Sequence, residues 1–135
     1  MLFSSPAGRQ DVCCVISGAA GLGIQTVEDM LARVIVDEGF CVFGSREYMS
    51  RVRGGNNSTE LRVSSEPVDA LIDRIDILIA LSRNVRQNIL ERISPHTVIL
   101  GDRDELKGEL EDRGASFVHI PLSSLAKEAG GAIYS

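Results

Sequence analysis

Six consecutive residues, Val12 to Ser17 (Val-Cys-Cys-Val-Ile-Ser), carry no charge and no polar–apolar alternation. A strand of that kind is buried on both faces, and such strands belong to sheets covered by helices on both sides. The residues that follow meet this requirement. Gly18-Ala19-Ala20-Gly21-Leu22-Gly23 makes a glycine-rich turn. Ile24, Val27, Leu31, Val34 and Ile35 then recur at helical spacing, so a helix is expected over 24–38, stopped by Gly39.

The rest of the chain alternates in the same way. Strands are expected over 40–43, 59–63, 77–81, 97–100 and 116–120. Pro67 suits the first turn of a helix carrying Val68, Leu71, Ile72 and Ile75 inward. A further helix over 84–93 would bury Val85, Ile89, Leu90 and Ile93 and stop at Pro95. Asp102 and Glu105 have capping-box spacing ahead of a helix ending at Gly114 and weakened by Gly108, and a final short helix ends near Gly130-Gly131. Between the second and third strands no helical period is visible, whereas a parallel crossover needs a dozen or more residues. The third strand is therefore expected to run antiparallel at an edge. Together these elements predict an α/β fold: a Rossmann-like three-layer sandwich, with a mostly parallel sheet and one antiparallel edge strand. One domain is expected over 11–135, behind a loose leader at 1–10.

Composition narrows the function classes. The 135 residues carry a net charge of −5 with no Lys/Arg run, which argues against a nucleic-acid or anionic-membrane partner. The longest uncharged stretch, Val12 to Val27, contains three glycines and falls short of the roughly 18 apolar residues of a membrane helix. Cys13, Cys14 and Cys41 are odd in number and lack CxxC spacing, so neither a disulfide framework nor a metal site is legible, and a reducing cytoplasmic home fits. Adjacent on one strand, Cys13 and Cys14 face opposite sides as core residues, and Cys41 reads the same way. His96 and His119 lack a paired nucleophile and read as structural.

Two loops carry the chemistry. The first is the glycine turn between a buried strand and a helix, where backbone N–H groups and the helix dipole favour anions. Its spacing is G-x-x-G-x-G; Ala20 stands where the dinucleotide fingerprint has its second glycine, and Gly44 and Ser45 stand where a ribose-binding acid would end the second strand. NAD is disfavoured, and so is a P-loop, since Ile24 and Gln25 replace its lysine and hydroxyl. The turn serves either backbone geometry alone or contact with an anionic ligand or a partner domain. The second is a loop over 45–57. Arg46, Arg51, Arg53 and Arg62 meet only Glu47 and Glu60 between Ser45 and Val63, a net +2 on an acidic chain. Guanidinium forks suit phosphate and carboxylate alike. Gly54-Gly55 allows a sharp turn, and Asn56-Asn57 adds amides. The alternative is a solvated loop whose arginines pair with local acids.

Val-Ile-Ser-Gly-Ala-Ala-Gly-Leu-Gly-Ile-Gln-Thr (15–26), Glu-Tyr-Met-Ser-Arg-Val-Arg-Gly-Gly-Asn-Asn (47–57) and Leu-Arg-Val-Ser (61–64) together resemble the gamma domain of 2-oxoacid:ferredoxin oxidoreductases. The likeness is to the gamma-type domain at the N-terminus of fused alpha subunits, and it runs from about residue 11 to the end. Leu22 departs from the glutamine usual before the third glycine, so any polar contact of that glutamine is lost or replaced. The resemblance implies a complex that converts a 2-oxoacid and coenzyme A to acyl-CoA and CO2 while reducing ferredoxin. It places thiamine diphosphate and iron–sulfur clusters in alpha and beta partner domains or subunits. The chain agrees: it has no GDG-type thiamine diphosphate motif, and three scattered cysteines cannot ligate a four-iron cluster. The isolated chain is expected to be inactive, with no catalytic or metal residue of its own. Its implied role is assembly and the approach of coenzyme A. The residues matching the family's two loops are Gly18, Gly21, Gly23 and Gln25, with Arg51, Arg53, Gly54, Gly55 and Asn57. The family domain usually continues with another helix after a sequence like Gly-Gly-Ala-Ile-Tyr-Ser. A truncated piece is therefore expected, with an exposed apolar surface and a homodimer in isolation. The competing reading is a free-standing binding module for a nucleotide or CoA-like anion, which would lack alpha and beta partners in its gene neighbourhood.

Overall fold

A computed structural model describes residues 11–19, 24–47, 56–67, 73–106, 108, 110 and 114–121, with the backbone alone at 25 and 45–47. The elements are β1 (Asp11–Ala19), α1 (Ile24–Asp37), β2 (Cys41–Glu47), β3 (Asn56–Ser64), β4 (Ile77–Ala80), α2 (Gln87–Leu90), β5 (Val98–Gly101), α3 (Arg103–Leu106) and β6 (Ser116–His119).

The six strands form one mixed sheet in the order β2-β3-β1-β4-β5-β6. β1, β4, β5 and β6 run parallel, while β3 runs antiparallel to both β1 and β2. The expected antiparallel third strand is thus present, one place in from the edge with β2 outside it. The reason is geometric. β1, α1 and β2 make a parallel crossover that leaves a gap of one strand, and the short β2–β3 link permits only an antiparallel return into that gap. The ladder from Asp11↔Ser64 to Ala19↔Asn56 makes β1 and β3 the longest pair.

Both faces of β1 are covered, as its composition requires. Cys13 and Val15 pack on one face with Leu78, Ile89, Ile99 and Leu106, toward α2 and α3. Cys14 and Ile16 pack on the other face with Ile24, Val27 and Leu31 of α1 and with Ile77 and Ile79 of β4. The two adjacent cysteines therefore do face opposite sides. Cys41 is only half-buried, at the outer strand.

Several local expectations are corrected. Val34 is 60% exposed, because it flanks the inward stripe of α1. Glu28 turns inward instead and is held there by Thr59, whose hydroxyl donates to Glu28 Oε2 at 2.9 Å. The helix over 84–93 is a single turn, Gln87–Leu90. Asn84 has φ 67, and the extended Arg86 caps it with no side-chain bond, so nothing extends it upstream. Val85 and Ile89 are buried all the same. The helix expected to reach Gly114 ends at Leu106, and Gly108 at φ 80 is outside any right-handed helix. Asp102 does cap α3: its Oδ1 accepts the Asp104 N–H at 2.9 Å. Ile75 is fully buried in the extended approach to β4, not in a helix. Val68, Leu71 and Ile72 lie outside the described residues, as do the leader and the final helix near 130–131.

Gly101 is a packing contact of a specific kind. A Cβ there would stand 2.5 Å from Leu106 Cδ1 and 3.2 Å from the Ala80 carbonyl. Leu106 is buried and has no room to yield. Gly101→Ala is expected to destabilise the fold by about 1–3 kcal/mol, read as a lower denaturation midpoint with unchanged slope.

Candidate functional site

The carboxyl ends of the parallel strands lie on one edge of the sheet. Ligands of open α/β sheets bind there, at the point where successive crossovers diverge. Here that point falls between β1, whose connection leads toward β2, and β4, which leads toward β5 and β6. The pairing of Ala19 with Asn56 and of Gly18 with Asn57 brings the end of β1 against the start of β3. The two loops picked out in the sequence therefore begin and end side by side, although 30 or more residues separate them in the chain.

A third segment joins them. The Leu81 N–H donates to the Ser17 carbonyl at 2.8 Å, continuing the β1–β4 ladder past the end of β4. The Ala19 N–H donates to Ser82 Oγ at 2.9 Å, and Asn56 Nδ2 donates to the Arg83 carbonyl at 2.7 Å. These bonds hold the β4 exit loop across β1 and β3. Asn84, directly after it, is the one non-glycine residue with positive φ among the described residues. Asn tolerates that conformation better than most residues, and such positions concentrate at functional sites. The resulting cleft has a volume of about 250 Å³, and among the described residues it is lined by Ala19, Asn56, Ser82, Arg83, Asn84 and Glu105.

Of the sequence-derived site residues, Gly18 and Asn57 sit paired at this edge, and Gln25 begins α1 beside it. Gly21, Gly23, Arg51, Arg53, Gly54 and Gly55 lie outside the described residues. Ser82, Arg83, Asn84 and Glu105 had no motif to mark them. The available signal was positional: they follow buried β4 or precede the middle of α3 on the edge where parallel strands end.

Arg62 is removed from the arginine island. It lies on β3 near the opposite edge, where its Nε and Nη2 donate to Asp11 Oδ1 and Oδ2 at 3.0 and 2.9 Å. It belongs to an ion-pair row at the amino ends of the strands. Arg74 Nε donates to Asp76 Oδ1 at 2.8 Å, and Arg92 pairs with Glu60. The hydrogen bond from Asp76 pushes the Arg74 pKa further up, and the bond to Glu60 does the same for Arg92. Asp76 Oδ2 also accepts the Cys13 N–H at 2.9 Å. These arginines tie strands together.

Burial pushes the Cys13 thiol up to about 11, with Glu60 adding to the shift, and burial pushes Cys14 up to about 12. Neither is a ready nucleophile or metal ligand. Among the described residues no group of three or more His, Cys, Asp or Glu is placed to hold a metal ion, and no helix is long and apolar enough to cross a membrane. His119 Nδ1 accepts the Arg103 N–H at 3.0 Å and so helps seat α3, a structural role.

Residues 13–135 match the family described as pyruvate ferredoxin/flavodoxin oxidoreductase. The chain belongs to this family. A 2-oxoacid:ferredoxin oxidoreductase subunit alpha from Sulfolobus is 35% identical over 66 residues, 49% of this chain and 10% of that protein. The 2-oxoglutarate synthase subunit KorC of Methanocaldococcus jannaschii is 27% identical over 121 residues, 84% of this chain and 62% of the relative. Among solved structures, the gamma subunit of a keto/oxoacid ferredoxin oxidoreductase from Geobacter sulfurreducens has a TM-score of 0.69 at 25% identity. The match covers 90% of this chain and 66% of that one. The 2-oxoglutarate:ferredoxin oxidoreductase of Magnetococcus marinus, with 2-oxoglutarate, coenzyme A and succinyl-CoA bound, shares the fold at a TM-score of 0.72 and 24% identity. There the match covers 87% of this chain and 21% of the larger one. The chain thus spans 10% of the length of the first alpha subunit and less than two thirds of KorC. The α/β fold and the gamma-type likeness read from the two loops agree with these family members.

Proposed function

We propose that this chain serves as the gamma-type domain of a 2-oxoacid:ferredoxin oxidoreductase, as a single domain over 11–135. The observation that carries the reading is the family match across residues 13–135, supported by the gamma-subunit fold. In this role the domain binds alpha and beta subunits that hold thiamine diphosphate and iron–sulfur clusters. The complex converts a 2-oxoacid and coenzyme A to acyl-CoA and CO2 and passes the electrons to ferredoxin. The domain itself contributes assembly and shapes the approach of coenzyme A. Gly18, Gly21, Gly23 and Gln25 of the glycine turn, with Arg51, Arg53, Gly54, Gly55 and Asn57 of the arginine loop, form the contact surface. Three free cysteines suit a reducing cytoplasmic setting.

The tagged chain is expected to capture a thiamine diphosphate-containing protein from its own cell extract. A purified complex that keeps full 2-oxoacid-dependent ferredoxin reduction after this domain is removed overturns the reading. Calorimetric titration with coenzyme A, with NAD as control, tests the loop directly. The double change Arg51→Ala, Arg53→Ala is expected to weaken coenzyme A binding at least about tenfold, the scale of one or two charge-assisted bonds. Unchanged affinity would remove the arginine loop from the ligand path.

A further inference from the structure

The described arginines divide into two kinds. Arg62, Arg74 and Arg92 are engaged by Asp11, Asp76 and Glu60 at the amino edge of the sheet. Arg83 lies at the carboxyl edge, is exposed, lines the cleft, and has no carboxylate paired with it among the described residues. Its main chain is nevertheless fixed. The buried Asn56 holds its carbonyl, Ser82 before it is tied to β1, and Asn84 after it takes a left-handed conformation. A cation without a partner, on backbone held from three sides, is preorganised to receive an anion.

The other side chains narrow the class of anion. Glu105 brings a carboxylate to the same cleft. A bare anion is repelled by that carboxylate, whereas a ligand that also carries hydroxyl donors is held by both groups. Asn56 and Asn84 add amides that donate and accept. The cleft's 250 Å³ is below the roughly 300–1,000 Å³ of sites that enclose a whole drug-sized ligand, so it takes one end of a larger molecule.

We infer that this cleft takes a phosphate monoester carried on a sugar. Arg83 anchors the phosphate and Glu105 accepts a sugar hydroxyl. The inference rests on the proposed function only for its expectation that the ligand is a coenzyme A-like nucleotide.

The test is calorimetric titration of the full chain with coenzyme A, with dephospho-coenzyme A, which lacks the ribose phosphate monoester, and with inorganic phosphate. Coenzyme A is expected to bind at least about tenfold more tightly than dephospho-coenzyme A, the scale of one charge-assisted anchor. Arg83→Gln is expected to erase that difference without moving the thermal midpoint, since the side chain is exposed. Glu105→Gln is expected to improve the binding of inorganic phosphate relative to coenzyme A. Equal affinity for the two coenzymes, a difference that survives Arg83→Gln, or no binding of any probe overturns the inference. None of these results touches the capture of catalytic subunits, so failure of the cleft and failure of the proposed function are read separately.

Discussion

Asp76→Ala is expected to cost about 2–3 kcal/mol, more than any other single charge removed from the described fold. Asp76 stands just before β4 and exchanges two bonds with Cys13: its own N–H donates to the Cys13 carbonyl, and its Oδ2 accepts the Cys13 N–H, each at 2.9 Å. The carboxylate thus completes the β1–β4 ladder at the point where the backbone of β4 has not yet begun. It also receives Arg74 Nε at 2.8 and 3.0 Å, while Arg74 Nη2 reaches the Asp11 carbonyl at 2.9 Å. Truncation leaves the N–H of fully buried Cys13 without an acceptor, and that desolvated donor is the larger part of the loss. The ion pair is the smaller part, because the Arg74 side chain is 48% exposed and regains water when its partner goes. Arg74→Ala should therefore cost less than half as much as Asp76→Ala. Asp76→Asn, which retains an acceptor for Cys13, should fall between them. Urea denaturation at pH 7 separates the three variants by midpoint. If Arg74→Ala proves as damaging as Asp76→Ala, the ion pair rather than the strand bond holds this edge.

Where one pattern of burial ruled a segment, the sequence was a sufficient guide. Val12 to Ser17 is apolar on both faces because helices cover both, and β1 occupies the interior of the sheet accordingly. Inward residues were legible even where the element was not: Val85 and Ile89 are buried around a helix of a single turn. Periodicity reports which side chains face the core, but Asn84 and Gly108 adopt positive φ for local reasons that no spacing reveals. Glu28 escaped notice for a similar cause, since its burial depends on Thr59, which lies 31 residues away. The site divides along the same line. The glycine turn and arginine loop carry unusual composition and could be read, whereas Ser82, Arg83 and Asn84 are ordinary loop residues. Only the pairing of β1 with both β3 and β4 gathers them into one cleft.

At pH 8 an alkylating reagent is expected to modify Cys41 alone in the folded protein, leaving Cys13 and Cys14 protected. Thiolates are the reacting species. Burial raises Cys13 from 9.0 to about 11 and Cys14 to about 12, so their thiolate fractions fall about 100-fold and about 1,000-fold below that of an ordinary thiol. Cys41 is half-buried on the outer strand. The same shifts set an alkaline limit on stability. Protonated thiols are favoured in the folded state, so this contribution is complete below pH 9 and is lost as pH rises from 9 through about 11 for Cys13 and about 12 for Cys14. For Cys13 alone the loss approaches about 3 kcal/mol at the top of that window. The double variant Cys13→Ala, Cys14→Ala should begin less stable at pH 8, because it leaves two small cavities, yet lose stability less steeply between pH 9 and 11. An unchanged alkaline slope in that variant would show that other groups set the limit. Mass-spectrometric mapping after a short pulse of iodoacetamide checks the protection directly, and rapid labelling of Cys13 or Cys14 would contradict it. The outcome bears on function because cluster ligation and disulfide exchange both begin from a thiolate. Two thiols held protonated between the sheet and its helices are packing residues. Electron transfer in a complex built on this domain must then run through cysteines that other domains supply.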